Sequence, residues 1–123
     1  MHEMGLAMNL YEMCRREVEK NGGGSLRTVR LAIGELAAVE PELLKFAWQA
    51  TVEDRDAASQ LEIEWRPARQ YCPACKAPKD RPESRWLMVC PDCGAPLSVE
   101  GGFEMDLLQI SFDSDDEAGG SPQ

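Results

Sequence analysis

Residues 72–93 read CPACKAPKDRPESRWLMVCPDC: a Cys72-Pro-Ala-Cys75 pair, fourteen residues, then a Cys90-Pro-Asp-Cys93 pair. Two C-x-x-C pairs at this separation are a metal-binding signature. The two intervening residues let both sulfurs of a pair turn onto one cation. The linker is long enough to return as a hairpin and close a tetrahedral four-sulfur shell. Proline after the first Cys of each pair, and Gly94 after the last, suit tight knuckle turns. Lys76, at the matching place after the first pair, fits such a turn less well. Thiolate-only tetrahedral sites select zinc or iron, and zinc is the expected occupant. Four protein ligands leave no open position for a substrate, so this zinc is structural. Sites of this type supply about 10–16 kcal/mol of apparent free energy near neutral pH, in a segment with few bulky apolar residues. The rival reading, two disulfides, gains nothing from the rest of the chain.

Outward from the cysteines, the flanks read as a small α+β body. Over residues 4–20, Leu6, Ala7, Leu10, Cys14 and Val18 recur at helical steps, with Glu12, Arg15, Arg16 and Glu19 opposite. Asn21-Gly22-Gly23-Gly24 ends that helix. Cys14 lies on the apolar stripe and reads as a small core residue. Val29, Leu31 and Ile33 alternate with Thr28, Arg30 and Ala32 in a strand that stops at Gly34. Pro41 suits the first position of a second helix, with Leu43, Leu44, Ala47, Trp48 and Thr51 facing inward. Glu53-Asp54-Arg55-Asp56 reads as a charged loop. Leu61, Ile63 and Trp65 then alternate with Glu62, Glu64 and Arg66 in a second strand.

A third strand is expected over 103–112. Met105 and Leu107 share one phase, while Leu108, Ile110 and Phe112 share the other. That switch implies a bulge, or a strand buried on both faces. From Asp113 onward nothing apolar exceeds Ala118, and the tail is expected to be disordered. The layout predicts an α+β fold: two helices packed on a small three-stranded sheet, with an inserted zinc-ribbon-like module of rubredoxin-like knuckles. The body is assigned to 1–70 and completed by the strand at 103–112. The zinc module takes 71–102 and the acidic tail 113–123.

Charge narrows the function. The chain carries a formal net charge of −9, and the tail (Asp113, Asp115, Asp116, Glu117) supplies four of those negative charges. Residues 71–102 balance four bases against four acids, and four thiolates with one Zn²⁺ make the module more negative still. A protein that neutralises phosphates has the opposite sign, so nucleic acid is not an expected partner. The first residues lack a basic segment followed by an apolar run, and no stretch is long and apolar enough for a membrane span. With four cysteines in two C-x-x-C pairs and an odd Cys14, this points to a reducing cytoplasm.

The only histidine is His2. If Met1 is kept and unblocked, its amine and the His2 amide nitrogen form a five-membered chelate ring. That amide and the imidazole Nδ1 form a six-membered one. Glu3 adds a backbone nitrogen or a carboxylate. A deprotonated amide in such a nitrogen-rich set favours square-planar Ni(II) or Cu(II). Retention of Met1 is expected because a bulky second residue obstructs its removal. The bland reading is an exposed histidine at a chain end.

Over residues 1–112 the sequence resembles the HypA/HybF family of hydrogenase-maturation nickel metallochaperones. The resemblance rests on Met1-His2-Glu3 with Leu6, on the Leu31–Phe46 segment (LAIGELAAVEPELLKF), on Leu61-Glu-Ile63-Glu, on the paired cysteine knuckles, and on Glu104–Ile110 (EMDLLQI). It implies a nickel site at the chain start. His2 is then a ligand, Glu3 a ligand or the residue that holds His2 in place, and the Met1 amine and nearby backbone nitrogens complete the set. It also implies structural zinc at Cys72, Cys75, Cys90 and Cys93. The expected function is delivery of Ni²⁺ to the large-subunit precursor of nickel–iron hydrogenase, with an accessory GTPase as partner. Some members also serve urease maturation. Histidines near the zinc cysteines, found in some members, are lacking here, and the acidic tail is outside the family pattern.

Two other readings stand beside it. A zinc-ribbon protein- or nucleic-acid-interaction module would use Lys76, Lys79, Arg81, Arg85 and Trp86, against the sign of the overall charge. A rubredoxin-like electron carrier would hold iron at the same cysteines and be red. No enzymatic reaction is assigned, since the residues offer neither an open zinc position nor a nucleophile–base pair.

Overall fold

The chain runs α1 (His2–Lys20), β1 (Gly24–Gly34), α2 (Pro41–Thr51), a 3₁₀ turn at Asp54–Asp56, β2 (Gln60–Arg66), β3 (Arg69–Cys72), β4 (Ala77–Lys79), a tight turn at Pro82–Ser84, β5 (Ser98–Glu100) and β6 (Met105–Ser114). The computed structural model describes residues 2–115. Its main sheet has the order β2-β1-β6, with β1 parallel to β2 and antiparallel to β6. A second antiparallel sheet, β4-β3-β5, lies in sequence between β2 and β6 and carries the cysteines. The expected α+β architecture with an inserted knuckle module is therefore the one observed. Among the described residues, no helix is long and apolar enough to cross a membrane.

Both helices cover one face of the main sheet. Leu10, Cys14 and Val18 of α1, Leu44, Ala47 and Trp48 of α2, and Leu26, Val29, Leu31 and Ile33 of β1 form one buried cluster. Such a face repeats every second residue on a strand and at three- or four-residue steps on a helix, which is how these residues were recognisable. The opposite sheet face is charged: Arg30 bridges Glu62 and Glu64, and Glu64 also holds Arg66. These exposed pairs stabilise by about 0–1 kcal/mol each. Cys14 is wholly buried, and burial pushes its thiol up to about 12, so it is a protonated core group.

α1 ends in a Schellman motif. The Gly23 amide donates to the Val18 carbonyl and the Gly22 amide to the Glu19 carbonyl, with Gly22 at φ 102°. The helix begins two residues earlier than the apolar pattern indicated, at His2. Glu3, an acid in its first turn, favours the helix dipole there.

The phase switch in β6 is a bulge. Arg30 pairs with Gln109 and Leu31 with Leu107, which leaves Leu108 without a partner on β1. Leu107, Ile110 and Phe112 thereby pack against the core, while Leu108 is 40% exposed. Both β1 and β6 run further than expected because their ends pair with each other: Gly24 with Ser114, Ser25 with Asp113 and Leu26 with Phe112. Asp113 and Ser114 thus belong to a strand and not to the tail. Arg27 also pairs with the Asp113 carboxylate at 3.0 Å. Asp115 is placed too, its amide donating to the Gly23 carbonyl at 3.2 Å, and 116–123 of the expected tail lie outside the described residues. Two expected core residues face outward instead: Leu43 is 52% exposed, off the Leu44–Ala47–Trp48–Thr51 stripe, and Trp65, on edge strand β2, is 47% exposed.

The charged loop hides the body's main polar contact. Asp56 is wholly buried. Its carboxylate accepts from the Tyr11 hydroxyl at 2.5 Å, the Leu26 amide at 2.8 Å and the Arg15 guanidinium at 3.4 Å. One side chain thereby ties α1, β1 and the 3₁₀ turn together. Tyr11 also receives the Glu53 amide and meets Trp48 edge-on, with ring centroids 5.6 Å apart. The Trp48 indole in turn donates to Ser59 at 3.0 Å.

Candidate metal centres

The four cysteine sulfurs converge. Cys72, Cys75, Cys90 and Cys93 place every Sγ within 4.8 Å of the others, with Cys72–Cys93 at 3.6 Å and Cys75–Cys90 at 3.9 Å. Zinc with Zn–S bonds of about 2.3 Å requires tetrahedral edges of about 3.8 Å, so the donor set fits that ion. All four thiols are unbridged. The first cysteine of each pair is buried and the second exposed. Backbone N–H groups reach the sulfurs, from Cys75 to Cys72 at 3.2 Å and from Asp92 to Cys90 at 3.4 Å. Donors placed this way offset the negative charge of a zinc tetrathiolate.

The two knuckles repeat one turn. The Lys76 amide donates to the Cys72 carbonyl at 2.7 Å, and the Gly94 amide to the Cys90 carbonyl at 2.9 Å. Lys76 has φ 58° and Gly94 φ 78°. Lys76 therefore adopts the knuckle conformation despite its side chain, at a cost of about 1–2 kcal/mol relative to glycine. The hairpin between the knuckles is held by Gln70, whose buried amide receives the Leu87 N–H at 2.9 Å and donates to the Leu87 carbonyl at 3.1 Å.

The module is seated on the body by an ion pair that residue spacing did not reveal. Arg81 binds Glu35 in two-pronged fashion at 2.7 and 3.0 Å, with only 6% of the Arg81 side chain exposed. The same guanidinium donates to the Ala68 carbonyl and stacks 3.6 Å above the Trp86 ring. Arg81, followed by the Ala68 N–H, holds the Glu35 carboxyl below the usual glutamate range. A group depressed on folding stabilises fully above its unfolded pKa and stops doing so as pH falls through the folded value. The Glu35 contribution is accordingly expected to persist until pH drops below the ordinary glutamate range. A carboxyl-carbon NMR titration that finds an ordinary midpoint contradicts this.

At the other end of the body, His2 is exposed on the first turn of α1, and Glu3 is half-buried beside it. The Glu3 carboxylate accepts the Glu40 backbone N–H at 3.1 Å. That contact, the largest cause, holds its pKa below the usual value. Glu40 in turn caps α2, its carboxylate accepting the Glu42 N–H at 3.0 Å. The N–H groups of a helix's first turn have no acceptor within the helix, so the amide nitrogens of His2 and Glu3 can bind a metal without breaking a helical hydrogen bond. Met1 lies outside the described residues. The cysteine quartet is thus gathered in one place, and His2 and Glu3 are neighbours at another.

A family model described as HypA, hydrogenase/urease nickel incorporation, metallochaperone, matches residues 1–112. The chain is similar to the hydrogenase maturation factor HypA of Rhodopseudomonas palustris (strain BisA53), 36% identical over 92% of this chain and 100% of the relative. It is also similar to that of Alkalilimnicola ehrlichii, at 34% with the same coverage. Among solved structures, the solution structure of the Ni metallochaperone HypA from Helicobacter pylori superposes with a TM-score of 0.59 at 21% identity, covering 91% of this chain and 97% of that one. A second, titled solution structure of HypA protein, gives 0.65 at 23%, covering 93% and 98%. The solved structures support the fold. The family match and the relatives identify the sequence: this chain belongs to the HypA family of hydrogenase/urease nickel-incorporation metallochaperones.

Proposed function

We propose that the chain carries Ni(II) at its N-terminus and hands it to the large-subunit precursor of nickel–iron hydrogenase, working with an accessory GTPase in the cytoplasm. The observation that carries this reading is the placement of the sole histidine, exposed on the first turn of α1, where the backbone amides have no acceptor within the helix. The Nδ1 of His2, the amine of Met1 and the amide nitrogens of His2 and Glu3 form the nickel donor set. A site at a chain end opens to a partner's ligands from several sides, so nickel leaves by stepwise ligand exchange without unfolding the body. Affinity falls in acid, as protons compete for the imidazole and the amine. The zinc keeps its four sulfurs and serves the architecture. The protein acts as a carrier and not as an enzyme.

The proposal is tested by transfer. Nickel-loaded protein is mixed with the hydrogenase large-subunit precursor, and nickel on the re-isolated precursor is measured by elemental analysis. Wild type is expected to load the precursor, and His2→Ala to leave it near background. Equal loading by both removes His2 from the pathway.

A further inference from the structure

Four bases lie between the two cysteine pairs: Lys76, Lys79, Arg81 and Arg85. Lys76 and Arg85 are exposed, whereas Arg81 is engaged with Glu35 and Lys79 is turned into the module. Only 11% of the Lys79 side chain is exposed, and its ammonium donates to the Asp92 carboxylate at 2.7 Å. The two partners flank different cysteine pairs. Lys79 ends β4, just beyond the Lys76 turn of the first knuckle, and pairs with Gln70 across the small sheet. Asp92 lies inside the second knuckle, where its own N–H donates to the Cys90 sulfur at 3.4 Å. The matching place in the first knuckle is Ala74, which has no carboxylate to offer.

Charge gives this contact a second role. Zinc binding releases thiol protons and leaves the quartet with about two net negative charges, which a fixed cation stabilises. A cation beside thiolates also lowers their basicity and, with it, their nucleophilicity. The Asp92 carboxylate first, and then the charges of Cys75 and Cys90, raise the Lys79 pKa above the ordinary lysine value, against the opposing effect of desolvation. The ammonium is therefore within the field of two of the four sulfurs. One of them, Cys75, is exposed to outside reagents.

We infer that Lys79 is a positioning residue for the zinc centre: its bridge to Asp92 clasps the two knuckles together, and its charge keeps the metal on the sulfurs. The inference rests on zinc at the four cysteines. The clasp holds Asp92 so that its amide stays on Cys90, while the ammonium favours the charged, metal-bound quartet and quiets the exposed Cys75.

The test compares wild type, Lys79→Met, Lys79→Arg and Asp92→Asn, with zinc content and amide NMR dispersion recorded for each. Zinc affinity is read by competition with a chromophoric chelator. Cobalt-substituted proteins give the energy of the sulfur-to-metal charge-transfer band, and iodoacetamide gives the alkylation rate of Cys75. Lys79→Met keeps the stem and removes the charge. It is expected to weaken zinc about tenfold, to move the cobalt band to lower energy and to speed alkylation. Lys79→Arg should restore all three, and Asp92→Asn, which loosens the clasp but keeps the ammonium, should fall between. Wild-type affinity, band and alkylation rate in Lys79→Met overturn the inference and leave zinc at the cysteines. Weaker zinc with an unmoved band, not rescued by Lys79→Arg, overturns it too, since lost packing alone does that. Where Lys79→Met does not fold, wild-type behaviour of Asp92→Asn overturns the clasp. Wild-type protein that binds no zinc removes the centre itself, and the inference with it.

Discussion

Cys90→Ser is expected to lose its zinc and to collapse residues 69–101 while the two helices and the main sheet stay folded. The reason lies in what the module buries. Within that segment only Gln70, Cys72 and Cys90 are buried, so the metal ligands are nearly all of its interior. No apolar cluster is left once the sulfurs stop converging. About 10–16 kcal/mol of apparent binding free energy near neutral pH is then unavailable to order the segment. The main sheet has its own core around Leu26, Val29, Ile33 and Trp48, and β6 keeps its long pairing with β1. The check is a zinc assay beside an amide NMR spectrum. Loss of zinc with dispersion lost only in 69–101 is the expected result. Full dispersion in zinc-free protein contradicts the structural role. Because Cys75 and Cys93 are exposed, a strong chelator should reproduce the serine phenotype in the wild type.

The second large effect is in the body. Asp56→Ala should destabilise the fold by about 3–5 kcal/mol, the range for breaking one side of a buried charged pair. The substitution leaves the Leu26 amide and Tyr11 hydroxyl without their acceptor and removes the carboxylate facing Arg15. Arg15 would keep the Gly24 carbonyl and Glu19, which softens the loss but does not replace it. Chemical denaturation of both proteins with zinc present measures this directly. A change below about 1 kcal/mol would mean the cluster adds little beyond an ordinary hydrogen bond. Tyr11→Phe is milder, since the carboxylate keeps its other donors.

These two sites differ in how legible they were. Cysteine spacing is a covalent signal and marked the four residues whose sulfurs converge. Periodicity placed both helices, and the phase change at Leu107–Leu108 marked the bulge that now sits there. Asp56 was missed because four consecutive charged residues look solvated; only the fold brings Tyr11 and Leu26, from 45 and 30 positions away, onto it. The Glu35–Arg81 pair spans 46 positions and leaves no periodic trace. Lys76 looked unsuited to a knuckle because residue type predicts a left-handed conformation only statistically, and the converging sulfurs impose it. The ends of β1 and β6 were cut short because each depends on pairing with the other, which neither segment announces alone.

The central claim, that nickel is held at the chain start and zinc elsewhere, is tested most directly by nickel calorimetry on untagged, zinc-loaded protein with its native N-terminus, beside His2→Ala. The account predicts binding at micromolar or tighter concentration in the wild type, weakened at least about tenfold by His2→Ala, a change of roughly 1.4 kcal/mol. Zinc content should be the same in both proteins. Equal nickel binding by the two would contradict it and place the nickel away from the N-terminus.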